Sequence, residues 1–197
     1  MCLFVETVMI EDGEAPLATR HNERLNKTRA EVFASKDRID ILEHITVSSC
    51  RRRTKCRIVY GAEIETVTYS PYTIRPIESL KIATDDRIEY HLKSVDRSPI
   101  DELFAMRGHC DDILIIRDGL VTDTSIANVA FFDGGRWHTP QNPLLAGVRR
   151  SELIAGGYLD ERNIKADEIK KYRKIALFNA MIEFGEIVLP VDRIEGI

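Results

Sequence analysis

Gly119-Leu-Val-Thr-Asp-Thr-Ser-Ile-Ala-Asn-Val-Ala-Phe-Phe132 reads as a strand, a short polar break and a second strand. The break carries Asp123, Thr124, Ser125 and Asn128, with apolar residues on either side. A carboxylate held between two buried strands is costly without a partner. The stretch therefore predicts an acid that awaits something cationic which the chain does not supply.

Outward from this stretch the pattern is mixed. On its N-terminal side, Ile113 to Ile116 is a buried strand, and Asp118-Gly119 is a hairpin signal. Ser98-Pro99-Ile-Asp-Glu102 opens a helix that runs to near Gly108: serine can cap, proline suits the first turn, and acids suit the dipole. On its C-terminal side, Asp133-Gly-Gly135 turns into a strand through Trp137. Val148 to Ala155 is a short helix stopped by Gly156-Gly157. A helix over Asp167 to Tyr172 leads to a strand at Ile175 to Phe178. Further back, Phe4 to Ile10 is a strand ending at the turn Glu11-Asp12-Gly13-Glu14. His21 to Phe33 is helical, with Leu25, Val32 and Phe33 on a buried face, and Arg38 to Ile45 is a second helix with Ile39, Leu42 and Ile45 inward. Residues 55 to 70 form two strands about Gly61, and Arg87 to Leu92 is short and extended. Pro71 and Pro76 bracket a crossing between regions. The order predicts a mixed α+β chain of two domains, residues 1–80 and 81–197.

The bulk properties narrow the function. The chain has 197 residues, of which 44% are hydrophobic and 30% charged, an ordinary globular mixture. A net charge of −4 argues against nucleic acid as a partner. No apolar run approaches the roughly twenty residues of a membrane span, and the start lacks the basic and apolar parts of a signal peptide. Cys2, Cys50, Cys56 and Cys110 have no metal-like spacing and read as reduced thiols of a cytoplasmic protein; no metal is expected.

Several short motifs occur in an order that resembles the class IV aminotransferase family, the pyridoxal 5′-phosphate (PLP) enzymes of fold type IV. Val121-Thr-Asp123 with Asn128 is similar to the family's Val-Thr-Glu-x-x-x-x-Asn, with aspartate in place of glutamate. Leu92-Lys93 with Arg97 matches Leu-Lys-x-x-x-Arg, and His21-Asn-Glu-Arg24-Leu25 matches His-x-x-Arg-Leu. Leu145-Ala-Gly147-Val148-Arg149-Arg150 is similar to Leu-x-Gly-Ile-x-Arg, and Phe4-Val-Glu-Thr7 to the family's Phe-Glu-Thr strand. The likeness reaches from Phe4 to near Ile187. It implies a small N-terminal α/β domain, a barrel-like α/β cofactor domain, a homodimer, and a shortened N-terminus without the family's Asp-Arg-Gly loop.

What the resemblance implies residue by residue is compact, because PLP chemistry asks little of the protein. Lys93 would be the Schiff-base lysine. Asp123 would face the pyridine nitrogen. Arg24 would grip the phosphate with its planar fork. The backbone at Gly147 and Val148, opening a helix, would cradle it, with Arg149 alongside. Asn179 and Ala180, in Leu177-Phe-Asn-Ala-Met181, would add contacts to the phosphate. Placement alone suggests that Tyr72 and Arg75 reach a substrate carboxylate.

The short chain and the Leu-Lys-x-x-x-Arg and Phe-Asn-Ala segments resemble the aminodeoxychorismate lyase branch. They imply elimination of pyruvate from a small-molecule amine to leave 4-aminobenzoate, a step of folate biosynthesis. Two other readings share the motifs: an aminotransferase on a branched-chain or D-amino acid, and a PLP-binding protein with little catalysis.

Overall fold

The computed structural model describes residues 2–197. The chain divides into two compact units, Met1–Ile74 with Leu92–Asp96, and Arg75–His91 with Arg97–Ile197.

The first unit is a three-stranded antiparallel sheet, β1 (Phe4–Ile10), β2 (Thr54–Tyr60) and β3 (Ile64–Pro71), in that order, with one long helix, α1 (Ala18–Phe33). β1 is buried along nearly its whole length, because the sheet and α1 close over it. The core gathers Phe4, Val8, Ile10, Leu25, Ile41, Ile58 and Tyr60. α1 turns inward the stripe His21, Leu25, Thr28 and Arg29, which has the spacing of one helix face. Leu25 is buried as expected, but Val32 is 38% exposed. The inward stripe is largely polar, and apolar residues alone misjudge which side faces the core. Arg29 is fully buried and anchored, its Nε donating to the Ala62 carbonyl at 2.6 Å and its Nη2 to Asp37 at 2.9 Å.

The helix expected over Arg38 to Ile45 is not there. The segment is extended, with a single 3-10 turn at Ile41–Glu43, and Leu42 is 48% exposed. Asparagines of α1 capture its backbone instead. Asn26 both donates to and accepts from Ile39, each at 2.8 Å, and Asn22 accepts from the Ile41 amide at 2.8 Å. Those bonds replace the ladder a helix would have formed.

The second unit is a nine-stranded mixed sheet. Its strands are β4 (Leu80–Thr84), β5 (Asp112–Arg117), β6 (Leu120–Thr124), β7 (Asn128–Phe132), β8 (Trp137–Pro140), β9 (Asp160–Arg162), β10 (Lys174–Phe178), β11 (Ile187–Pro190) and β12 (Ile194–Glu195). The main order is β11-β10-β7-β6-β5-β4-β12, with β8 beside β7 and β9 beside β8. Two helices, α2 (Ser98–Ala105) and α3 (Val148–Ala155), complete it. α2 lies between β4 and β5 in the chain, and these two strands pair in parallel, as a helical crossover allows. Ser98 is the first residue of α2 rather than its cap; Arg97 holds the cap position without a side-chain bond. Asp118 and Gly119 both have positive φ, 52° and 73°, so the β5–β6 turn has the primed hairpin geometry their sequence predicts.

Two further expectations are corrected. Arg87 to Leu92, expected to be short and extended, forms no strand: it leaves a turn at Asp86 and Arg87, where the Asp85 side chain accepts the Arg87 amide at 2.9 Å. The strand of that region is β4, which has only five residues and no clean alternation. The segment near Asp167 to Tyr172 is a 3-10 helix, Ala166–Lys171, rather than an α-helix. The fold as a whole is the mixed α+β architecture expected, with few helices and many strands.

Candidate active site

In the second unit several segments converge on the 123–128 turn. β6 is central in the sheet, so Asp123 is only 5% exposed, as are its neighbours Thr124, Ser125 and Asn128 to within a few per cent. Asp123 and Asn128 pair across β6 and β7. The Asn128 amide donates to Asp123 Oδ1 at 2.7 Å, and the Leu145 amide donates to Oδ2 at 2.9 Å. Burial pushes the Asp123 carboxyl up to about 6, against the pull of these two donors and the more distant charge of Arg150. Among the described residues no cation bonds to it. Arg150 itself is spent on the Pro140 carbonyl and Glu161, at 2.7 and 2.6 Å.

The turn is braced from every side. Thr124 Oγ1 accepts the Ala127 amide at 3.0 Å. The buried Asp112 accepts the Ser125 amide at 3.3 Å. Arg97 donates to the Ser125 carbonyl at 2.8 Å, and Asn179 to the Ile126 carbonyl at 3.0 Å. The remaining oxygen of Asn179 accepts the amides of Met181 and Ile182. Asn179 thus knots the 178–182 loop to the acid's turn, with Ala180 half-buried beside it.

Asn128 also donates to the Leu145 carbonyl at 2.9 Å, which draws the 144–147 loop against the acid. Gly147 is needed here: a Cβ at this residue would run into Asn128 Oδ1. Gly147 then caps α3, whose first turn has no side-chain cap and so retains backbone N–H groups for another acceptor. Val148 is buried. Arg149 turns to Glu152 at 2.6 Å and Glu183 at 3.4 Å, and its Nε is buried without a partner among the described residues. Arg75, expected to meet a substrate, donates to the Asp111 carbonyl at 2.7 Å and pairs with Asp112 at 3.3 Å, and it lies over the Phe104 ring. His138 pairs with Asp133 at 2.9 Å.

The first unit holds Lys93, Arg24 and Tyr72. Lys93 is half-buried, and its carbonyl accepts the Val5 amide at 2.9 Å, so the 92–96 segment runs along β1. Its charge is felt at His21. Arg24 forks onto Glu6, with Nε on Oε1 at 2.9 Å and Nη2 on Oε2 at 2.5 Å, and His21 Nδ1 lies 2.6 Å from the same Oε2. Burial alone would raise Glu6, but Arg24 and His21 overcome it and hold the carboxyl at about 2. Burial lowers His21, which stays neutral at ordinary pH. Tyr72 is half-buried, its amide bonded to the Arg53 carbonyl. Sequence reading overlooked Glu6 and His21. Both stand inside the quoted motifs, and the signal was their polarity on elements otherwise turned to the core.

The residues fit the cofactor that the resemblance implies. The carboxylate of Asp123 is dry, ionisable and met only by neutral donors, so a pyridinium N–H would supply what it lacks. The opening of α3 offers amide donors to a phosphate. Elsewhere, His109, Cys110 and Glu195 bring three potential metal donors within 4.8 Å. There His109 bonds Glu195 at 2.6 Å and Lys81 lies 3.6 Å from the same carboxylate, an ion-paired surface. The four cysteines are free, and among the described residues no helix is long and apolar enough to cross a membrane.

The chain resembles several known proteins. The chain is 36% identical over 181 residues to an uncharacterised protein of Haemophilus influenzae, covering 89% of this chain and 96% of that one. It is similar to the crystal structure of a proposed 4-amino-4-deoxychorismate lyase from Haemophilus somnus, with a TM-score of 0.86, 32% identity, and 93% and 98% of the two chains covered. A PLP-bound hypothetical aminotransferase from Mycobacterium tuberculosis shares the fold, with a TM-score of 0.77 at 19% identity over 98% of this chain and 81% of that one. The model of the amino-transferase class IV family matches residues 3–191, and the chain belongs to that family.

Proposed function

We propose that the protein is a PLP-dependent enzyme with aminodeoxychorismate lyase-like activity, releasing pyruvate and leaving 4-aminobenzoate. The observation that carries the cofactor assignment is the seat of Asp123: a buried acid raised to about 6, braced on all sides and given no cation. The lyase assignment draws on the likeness to the Haemophilus somnus protein over nearly the whole of both chains.

When bound, PLP supplies an electron sink for the charge left when a proton leaves the amine-bearing carbon. The chain's own residues do the rest. Lys93 would hold the cofactor, and its amine would take that proton. Asp123 would favour a proton on the ring nitrogen and so strengthen the sink. Asn128 and the Leu145 amide hold the carboxylate in place for this task. Arg24 would grip a phosphate with its guanidinium, the opening of α3 at Gly147-Val148 would offer one its backbone amides, and a phosphate so held would fix the orientation that bond breaking requires. The same family likeness supports a homodimer acting on a small amine in the cytoplasm.

Purified protein loaded with PLP should show a visible absorbance band that Lys93→Ala removes. Given 4-amino-4-deoxychorismate, it should release pyruvate with no 2-oxo acid acceptor added. A reaction that requires a 2-oxo acid acceptor would make it a transaminase, and an unchanged band in Lys93→Ala would sink the attachment.

A further inference from the structure

We propose that Glu6 is the positioning residue for Arg24, holding its guanidinium in one plane and direction for a phosphate, with His21 completing the clamp. The inference rests on the assignment of Arg24 to the cofactor phosphate.

Glu6 lies on β1, fully shut from water, with no obvious reason for a charge at that position in an apolar strand. Both of its oxygens are committed. One takes Arg24 Nε at 2.9 Å, and the other takes Arg24 Nη2 at 2.5 Å together with His21 Nδ1 at 2.6 Å. Two parallel contacts fix the plane of a guanidinium as one contact cannot. An ionised carboxylate only accepts, so Nδ1 carries the hydrogen of a neutral imidazole. His21 therefore steadies the carboxylate without adding a second positive charge. Its other nitrogen, Nε2, is buried and has no partner among the described residues, so the ring is held by Glu6 and by packing. The Arg24 side chain is 15% exposed, with its Nε and Nη2 held by the fully buried Glu6.

The electrostatics make the clamp a device of orientation rather than of attraction. A negative charge within 3 Å of Arg24 opposes a second anion at the same guanidinium. What the clamp gives in return is order. A long side chain immobilised during folding has no rotamer freedom left to lose when ligand arrives.

That trade predicts the sign of the test. If Glu6 were merely a nearby charge, Glu6→Gln would tighten phosphate binding; as the clamp, it loosens it. The affinities of the purified apo protein for PLP and for pyridoxal, which lacks the phosphate, separate the two. Wild type should prefer PLP. Glu6→Gln should weaken PLP about tenfold and leave pyridoxal unchanged, since bonds to charged groups are worth that much. Arg24→Lys keeps the charge but cannot fork; it should lose the same preference, and the double variant should lose no more than either single change. Should Glu6→Gln not fold, Arg24→Lys still decides: wild-type preference in that variant overturns the clamp. Unchanged or tighter PLP binding in Glu6→Gln, while Arg24→Lys has lost its preference, overturns the clamp alone. No preference in the wild type overturns the phosphate assignment of Arg24, and the clamp with it.

Discussion

Glu6 in the first unit and Asp123 in the second are both carboxylates shut away from water, yet their surroundings drive them in opposite directions. Glu6 is met by Arg24 and His21 and is held at about 2, below its ordinary 4.5. Asp123 is met by an asparagine and a backbone amide and rises to about 6, from 3.8. Neutral donors soften burial but do not offset it; a full positive charge does. Each shift corresponds to roughly 3 kcal/mol, with opposite signs. Because the folded pKa of Glu6 is depressed, it contributes stability above about pH 4.5 that is lost as pH falls toward 2. Asp123 has a raised folded pKa. It costs nothing below about pH 3.8 and reaches its full cost above about pH 6. One acid meets its cations within the chain, and the other meets only neutral donors among the described residues.

Breaking the acid that meets cations should have the largest effect. Glu6→Ala leaves Arg24 and His21 facing an empty, dry cavity and should cost about 3–5 kcal/mol in urea unfolding of the apo protein at neutral pH. A loss under about 1 kcal/mol would mean that the pair is worth no more than a surface bridge.

The acid met by neutral donors should respond in the opposite sense. Asp123→Asn removes the cost of a buried charge and should stabilise the apo protein at pH 7 by about 1–3 kcal/mol. Measured against wild type from pH 4 to pH 7, the gain should grow between about 4 and 6 and then level off. The same change should weaken PLP binding. A variant destabilised at pH 7 would show that Asp123 is ordinary core support.

A smaller effect sharpens the link between Asp123 and its loop. Gly147→Ala drives a Cβ into Asn128, whose amide holds the acid. Overpacking of this kind costs about 1–3 kcal/mol. The Asp123 carboxyl should lose one of its two donors and rise further, which a titration of that group in the variant would read.

Much of this contrast is legible in the sequence on one side and hidden on the other. The strand–break–strand pattern around Asp123 announces a buried acid, because apolar residues flank it so closely that the chain has no room to turn it outward. The Asp118-Gly119 turn and the α3 start at Gly147 are equally local, and they fall where expected. Glu6 is less visible. Its partners lie 15 and 18 residues away on a helix, and nothing in a strand pattern tells which polar residue will meet it. The same long-range pairing misleads at Arg38 to Ile45, where helical spacing is real but Asn22 and Asn26 claim the backbone. Arg75 pairs at 3.3 Å with Asp112, a buried acid that no local pattern reveals.

The most direct measurement is the carboxyl titration of Asp123, followed by NMR of protein carrying labelled aspartate, with and without PLP. The apo protein should give a midpoint near 6, and addition of PLP should leave the group ionised well below that pH. A midpoint at the ordinary 3.8 in the apo protein, or a raised midpoint that PLP does not move, would contradict the account.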